Sequence, residues 1–231
     1  MALTDNLISY YKLDESSGTA ADSVGGFNLP VVNVTYSTGK INNGANLNGS
    51  NSVINSTTNG TSGYQSPATG DASISCWIKL ANNTQNPTII AGFFGNTYYG
   101  QYGRGLSYEN GTVKAWGTAN NTHAALSAAL TDTTSWHHLV CVGAASGSLW
   151  IDGTQVATGN ISDTWTFYFG IGATTWAGNI DFFNGSIDEV GLWSRTLTSG
   201  EIATLYNGGA GLQYPFTSTV NSGAGFFALA N

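Results

Sequence analysis

Two of the chain's three histidines, His137 and His138, stand side by side in the segment WHHLVCV at 136–142. Imidazole acts as a general base or a metal ligand near neutral pH, so the pair invites either reading. The flanking apolar residues read as a strand, and successive side chains of a strand point to opposite faces. His137 and His138 therefore cannot converge on one ion, and both are expected to be sheet residues. The serines nearest a histidine, Ser127 and Ser135, lie in no G-x-S-x-G setting, so a strained nucleophile turn is not indicated. A binding chemistry is better represented. The stretch FFGNTYYGQYGRG at 93–105 sets Tyr98, Tyr99 and Tyr102 beside Asn96, Gln101 and Arg104 in a glycine frame. Aromatic rings stack on the faces of sugar rings, and amide or guanidinium groups address their hydroxyls. These six residues are the candidate ligand-binding set. The plainer alternative is that loop aromatics cover a sheet edge.

Such side chains need a scaffold, and the scaffold reads as β. In ASISCWIKL (72–80), period two puts Ile74, Cys76, Ile78 and Leu80 on one face and Ser75, Trp77 and Lys79 on the other. In 136–142, Trp136, His138, Val140 and Val142 share one face, with His137, Leu139 and Cys141 on the other. Asn110-Gly111 and Asp152-Gly153 each separate short β-like runs, the signature of a two-residue hairpin. Only TSGEIATLYNGG reads helical, with Thr198 or Ser199 as cap, Glu201 in the first turn and Gly208 as stop. Turn signals every 8–12 residues and about a dozen strands predict a sandwich or barrel. Trp77, Trp136, Trp150 and Trp193 fall within strand patterns and are expected in the core, whereas Trp116, Trp165 and Trp176 fall near turns. Cys76 and Cys141 sit in apolar runs, where cysteine acts as a small hydrophobe. A bridge between them would need neighbouring strands.

Composition narrows the function classes. Of 231 residues only 8% are charged, the formal net charge is −7, and 31 are glycine. The few basic residues are scattered, which excludes a phosphate-binding nucleic-acid surface. No apolar run has the length of a membrane span, so no membrane insertion is expected. The start, MALTDNLISYYKLDE, has none of the parts of a signal peptide.

Five segments in order, LISYYKLDESSGTAADSVGG, GANLNGSNSVI, ASISCWIKL, WHHLVCVGAASGSLWIDGTQVATG and FNGSIDEVGLWSRTLTSGEIATLYNGG, resemble the laminin-G-like (LamG) domains of the concanavalin A-like lectin/glucanase superfamily. The resemblance implies an all-β fold: a jelly-roll β-sandwich of two curved antiparallel sheets with one short C-terminal helix and with the chain ends close together. On this reading residues 1–212 form the domain and 213–231 a C-terminal arm or capping extension. Glucanases of the superfamily carry Glu-x-Asp-x-x-Glu on one strand. Nothing here matches it, and Asp188 and Glu189, being adjacent, are expected to point to opposite faces. The domain is therefore read as no enzyme. The resemblance also implies a structural Ca²⁺ where the N-terminal loop meets the last strand, with Asp22 and Asp188 as ligands. The alternative is that Asp22 closes an Asx-turn and Asp188 caps a strand.

LamG-like domains are mostly adhesion or glycan-binding modules. A charge-poor, Asn/Thr/Gly-rich domain with its own Met1 and no leader suits a bacteriophage virion component made in the host cytoplasm: a decoration protein, fibre or adhesin that attaches to cell-surface glycan or reinforces the shell. Its partners would be glycan or other virion proteins, and the apolar GFFALAN end offers a route to a homo-oligomer. The alternatives are a secreted bacterial carbohydrate-binding module and a purely structural virion protein with no glycan ligand.

Overall fold

The computed structural model describes residues 1–55, 70–94, 103–119, 122–162, 168–174 and 181–217. Among them, fifteen strands run in chain order: β1 (Leu7–Tyr11), β2 (Val31–Val32), β3 (Thr35–Thr38), β4 (Asn43–Asn48), β5 (Val53–Asn55), β6 (Ala72–Leu80), β7 (Thr88–Phe94), β8 (Gly103–Glu109), β9 (Thr112–Ala119), β10 (Thr122–Ala129), β11 (His137–Gly143), β12 (Gly147–Ile151), β13 (Thr154–Gly159), β14 (Phe169–Ile171) and β15 (Asn184–Trp193). One helix, α1 (Ser199–Tyr206), follows. The strands form two antiparallel sheets. The first has the order β13-β12-β11-β6-β15-β4-β3, with β1 sharing the β4 edge of β15, and the second β10-β9-β8-β7-β14-β5-β2.

Period two decides which side chains meet between the sheets. Ile74, Cys76, Ile78 and Leu80 of β6 and Leu139 and Cys141 of β11 join Phe93, Leu106, Tyr108, Val113 and Phe169 from the second sheet in one buried cluster. The expected faces of both central strands are the observed ones. Cys76 pairs across from Leu139 and Cys141 from Ile74. Both are free and buried, and burial pushes both thiols well above their usual range, as suits small core residues.

The two hairpins are set by local chemistry. Asn110 and Gly111 have φ 43° and 80°, and Asp152 and Gly153 have φ 50° and 73°. Positive φ at both central residues is the turn whose twist matches paired strands. By contrast β10, THAALSAA, has an alanine-rich sequence with little intrinsic strand preference. Pairing with β9 along its whole length decides its state.

The outer face of the first sheet carries a second core. Val140, Val142, Tyr10 and Trp193 lie under Leu197, Ile202 and Leu205 of the α1 region, with Tyr214 and Phe216 packed alongside. Burying Ile202 and Leu205 contributes roughly 1.5–3 kcal/mol each. The opening residues join this layer, since Arg195 Nη2 donates to Ala2 O at 3.0 Å, and Met1–Thr4 line one groove with Pro215 and Phe216. The ends of the folded domain are thus neighbours. Residues 213–217 run over this face, whereas the GFFALAN end lies outside the described residues. Among the described residues no helix is long and apolar enough to cross a membrane.

Candidate functional site

The outward face of the second sheet carries the features that suit a flat ligand. Trp116 sits at the middle of β9, half-buried, with Gly105 of β8 directly across on one side and Ala125 of β10 on the other. Neither neighbour has a side chain tall enough to cover the indole, so the ring stands above the strands beside it. The same row continues from Gly105 to Gly92 of β7, Gly170 of β14 and Asn55 of β5. These three glycines are shielded from solvent, so a ligand reaches this row at its Trp116 end. The ring is held there: Trp116 Nε1 donates to Ser107 Oγ at 2.6 Å. Lys114 Nζ lies 5.7 Å from the ring centroid and pairs with Glu109 Oε2 at 2.5 Å. On β10, Ala125, Ser127 and Ala129 are short and exposed. An aromatic face ringed by small residues, with one hydroxyl, one ammonium and one carboxylate nearby, can stack on an apolar sugar face and bond its hydroxyls.

The sequence put Trp116 near a turn; it is a mid-strand residue, because β9 runs on past it to Ala119. Trp77 and Trp193 are core residues as expected, but Trp136 and Trp150 are half-buried, Trp136 just ahead of β11. Of the candidate binding loop, Asn96, Tyr98, Tyr99, Gln101 and Tyr102 lie outside the described residues. They fall in the connection between β7, which ends at Phe94, and β8, which begins at Gly103. Arg104 is placed differently from the expectation. It belongs to β8, on the core-facing parity with Leu106, and is buried. Its Nη2 donates to Gly70 O at 2.7 Å, and a Cβ on Gly143 would meet its Nε at 2.8 Å. Arg104 therefore spans the interior between the sheets.

The acids Asp188 and Glu189 correct the strand parity argument. Glu189 has φ 52°, and the register of β15 shifts between Asp188 and Gly191. This bulge inserts one residue, so both carboxylates lie on the outer face of the first sheet. Asp188 pairs across from Trp77, and Glu189 accepts from the Tyr10 hydroxyl. They share a face that is closed to solvent, 0% and 3% exposed: Asp188 lies against the 39–41 turn, and Glu189 beneath the C-terminal segment whose Gln213 Nε2 also donates to it. Burial pushes Asp188 up to about 8 and Glu189 to about 7.

The two proposed calcium ligands serve separate loops. Asp22 accepts main-chain N–H groups of Tyr10, Val24 and Phe27 at 3.0–3.2 Å. Asp188 accepts those of Lys40, Ile41 and Glu189 at 2.8–3.0 Å. No donor is shared between them. Calcium takes six to eight oxygens, and among the described residues no group of three His, Cys, Asp or Glu side chains is set to hold a metal. The donor set in view therefore does not make a shared cation cage, and each carboxylate pins a loop.

The histidines have separate roles. His138 lies on the outer face, its Nε2 2.8 Å from Ser75 Oγ and its ring against Trp77 and Tyr206; burial lowers its pKa to about 4. His137 faces Asp152, Nδ1 to Oδ2 at 2.7 Å, and Asp132, Nε2 to Oδ2 at 3.4 Å. Its hydrogen bond with Asp152 raises its pKa despite partial burial.

A family profile, Laminin_G_3, described as "Concanavalin A-like lectin/glucanases superfamily", matches residues 36–203. The chain belongs to this family. No curated protein matches it. Similar solved structures of concanavalin A-like shape include the receptor-binding domain of botulinum neurotoxin D, with 18% identity and a TM-score of 0.65 over 90% of this chain and 54% of that one. Domain 4 of an extracellular arabinanase from Geobacillus stearothermophilus, solved with arabinotriose, has 20% identity and a TM-score of 0.63 over 85% and 96% of the two chains. A Trypanosoma rangeli sialidase has 20% identity and a TM-score of 0.63 over 88% and 32%. The chain thus spans about half of the neurotoxin domain and a third of the sialidase. At these identities the likeness establishes the fold alone: two antiparallel sheets and a short helix in a jelly-roll arrangement, the concanavalin A-like lectin/glucanase fold.

Proposed function

We propose that this concanavalin A-like domain is a non-catalytic lectin-like module whose glycan stacks on Trp116. The observation that carries the reading is the half-buried indole at mid-strand between Gly105 and Ala125. Side chains directly across a strand pair pack on an aromatic ring, and here those positions hold only Gly105 and Ala125. Catalysis has no support among the described residues, because the acids that share a face are buried, Asp188 against the 39–41 turn and Glu189 under the C-terminal segment. The setting we propose is the surface of a bacteriophage particle, as decoration protein, fibre or adhesin. A charge-poor, Asn/Thr/Gly-rich chain with reduced buried cysteines fits assembly in a cytoplasm. A secreted bacterial carbohydrate-binding module is the second reading, favoured by the arabinanase domain whose length this chain nearly matches.

The test is a glycan array that includes neutral arabino-oligosaccharides, run with Ca²⁺ and with EDTA on the wild type and Trp116→Ala. Binding to a discrete glycan, weakened at least about tenfold (~1.4 kcal/mol) in Trp116→Ala, is the expected result. Loss of binding in the EDTA arm would support calcium at Asp22 or Asp188, displacing the main-chain donors that now hold them. No binding in either arm overturns the lectin reading and leaves a structural role among protein neighbours.

A further inference from the structure

A second hollow lies away from the Trp116 face, where three connections meet: Gly49 after β4, residues 82–88 between β6 and β7, and residues 181–184 leading into β15. Its volume is about 480 Å³, within the roughly 300–1,000 Å³ of small-molecule sites. The frame is rigid. Gln85 Nε2 donates to Asn82 O at 3.0 Å and Asn184 O at 2.7 Å, while its Oε1 accepts from Asn184 N at 2.9 Å. Gly49, at φ 73°, lies so close to Asn184 that a Cβ would meet Asn184 Cβ at 2.7 Å.

Inside that frame, three polar side chains are without a side-chain partner among the described residues. The amides of Asn86 and Asn184 and the carboxylate of Asp181 take part in no side-chain hydrogen bond, and Asp181 Oδ2 is shut off from water as well. An acceptor buried without a donor destabilises the fold. Burial raises the Asp181 carboxyl accordingly. The half-buried ring of Phe182 supplies an apolar wall beside them.

From this arrangement we infer that the Asp181–Phe182 hollow is a second ligand site that takes one ring of a neutral saccharide. A hydroxyl both donates and accepts, so a ring of hydroxyls can bond Asp181 Oδ1, the oxygen that is not sealed in the interior, and the two amides together, with a C–H face against Phe182. No Lys or Arg lines the hollow, so an acidic sugar would bring its charge to Asp181 uncompensated. A lone carboxylate is also a poor cation cage, since hard divalent ions recruit several charged oxygens. The inference rests on the carbohydrate-binding reading of the domain but on none of the residues of the Trp116 face.

The experiment is a titration of the ¹⁵N-labelled full chain with free glucose, galactose, mannose, arabinose and glucuronate, following the side-chain amide signals of Asn86 and Asn184. At least one neutral sugar should shift both signals saturably, and glucuronate should not. Asp181→Ala should weaken that binding about tenfold or more, as should Asn86→Ala, whose exposed position spares the fold. Trp116→Ala should leave the titration unchanged, which separates this site from the sheet face. Still amide signals for every neutral sugar up to about 100 mM, where even millimolar affinity would saturate, would overturn the inference. So would undiminished binding by both hollow variants, or shifts produced by CaCl₂ in place of sugar.

Discussion

Asp152 does three jobs that a single carboxylate seldom combines. It sits at φ 50° as the first central residue of the β12–β13 turn. It accepts the main-chain N–H of His138 at 2.8 Å and the Nδ1 of His137 at 2.7 Å. Although partial burial works against the anion, these bonds hold the Asp152 carboxyl below its ordinary value and raise His137. A histidine raised on folding stabilises fully below its unfolded pKa, and that contribution fades as pH rises through the folded value. Asp152→Asn keeps a residue tolerant of positive φ and an acceptor for His138, but removes the charge. In thermal melts its stability should fall most below wild type between about pH 5 and 6, by a free energy of about 1 kcal/mol or less for a pair partly in solvent. The gap should narrow by pH 8. A gap of constant size across that range would mean that His137 is not held by the Asp152 charge.

At the scale of elements, the α1 start shows how a local signal becomes a tertiary joint. Thr198 caps the helix, its side chain accepting from Glu201 N and the Glu201 carboxylate accepting from Thr198 N, the reciprocal box its sequence announces. The same carboxylate grips Arg195 at 2.8 and 2.7 Å, and that buried guanidinium also donates to Ala2 O and Asp5 O. Helix, β15 exit and chain start thus meet on one side chain. Thr198→Ala should cost about 1 kcal/mol, whereas Glu201→Ala should cost about 3 kcal/mol or more, because it strands a buried cation. Equal losses in denaturant melts would mean the Arg195 pair contributes little. This joint was legible in part: the capping box is written in four consecutive residues, Thr198 to Glu201, but Arg195's reach to Ala2 is not. The same divide runs through the sheets. Alternation showed both faces of β6 and β11, and Asn-Gly and Asp-Gly showed two turns. The β15 bulge was hidden, since Glu189 occupies a left-handed position where sequence reasoning looks for glycine. The standing of Trp116 was hidden too, because its exposure depends on Gly105 and Ala125, which are distant in sequence and adjacent only once β8, β9 and β10 pair.

For the whole molecule, the bulge has an energetic consequence. It turns Glu189 beside Asp188 on a face that α1, the chain start and residues 211–217 together close off from water. Tyr10 and Gln213 donate to Glu189, Asp14 shares Gln213, and the main-chain donors of Lys40 and Ile41 serve Asp188. Lys12 is the cation that eases Glu189, and burial outweighs it. Folding therefore holds protons that the unfolded chain releases. A carboxyl raised on folding stabilises below its unfolded pKa, and that stability is lost as pH climbs through the folded value. For Glu189, moving from 4.5 to about 7, the loss is on the order of 3 kcal/mol by the usual 1.36 kcal/mol per pH unit. Asp188, raised to about 8, acts in the same direction, while His138, lowered to about 4, works against both up to about pH 6.5. The domain should thus melt at lower temperature as pH rises to 8, most steeply above about pH 6.5. Glu189→Gln keeps an acceptor for Tyr10 without an ionisable proton, so its profile should be flatter over the same window, with the two curves crossing as the wild type ionises. Parallel curves would place the alkaline loss elsewhere, with Asp188, raised to about 8, the next group to test. If the curves do cross, the outer layer is a proton-dependent seal, and the C-terminal segment lying across Glu189 is the part of the domain that loosens first.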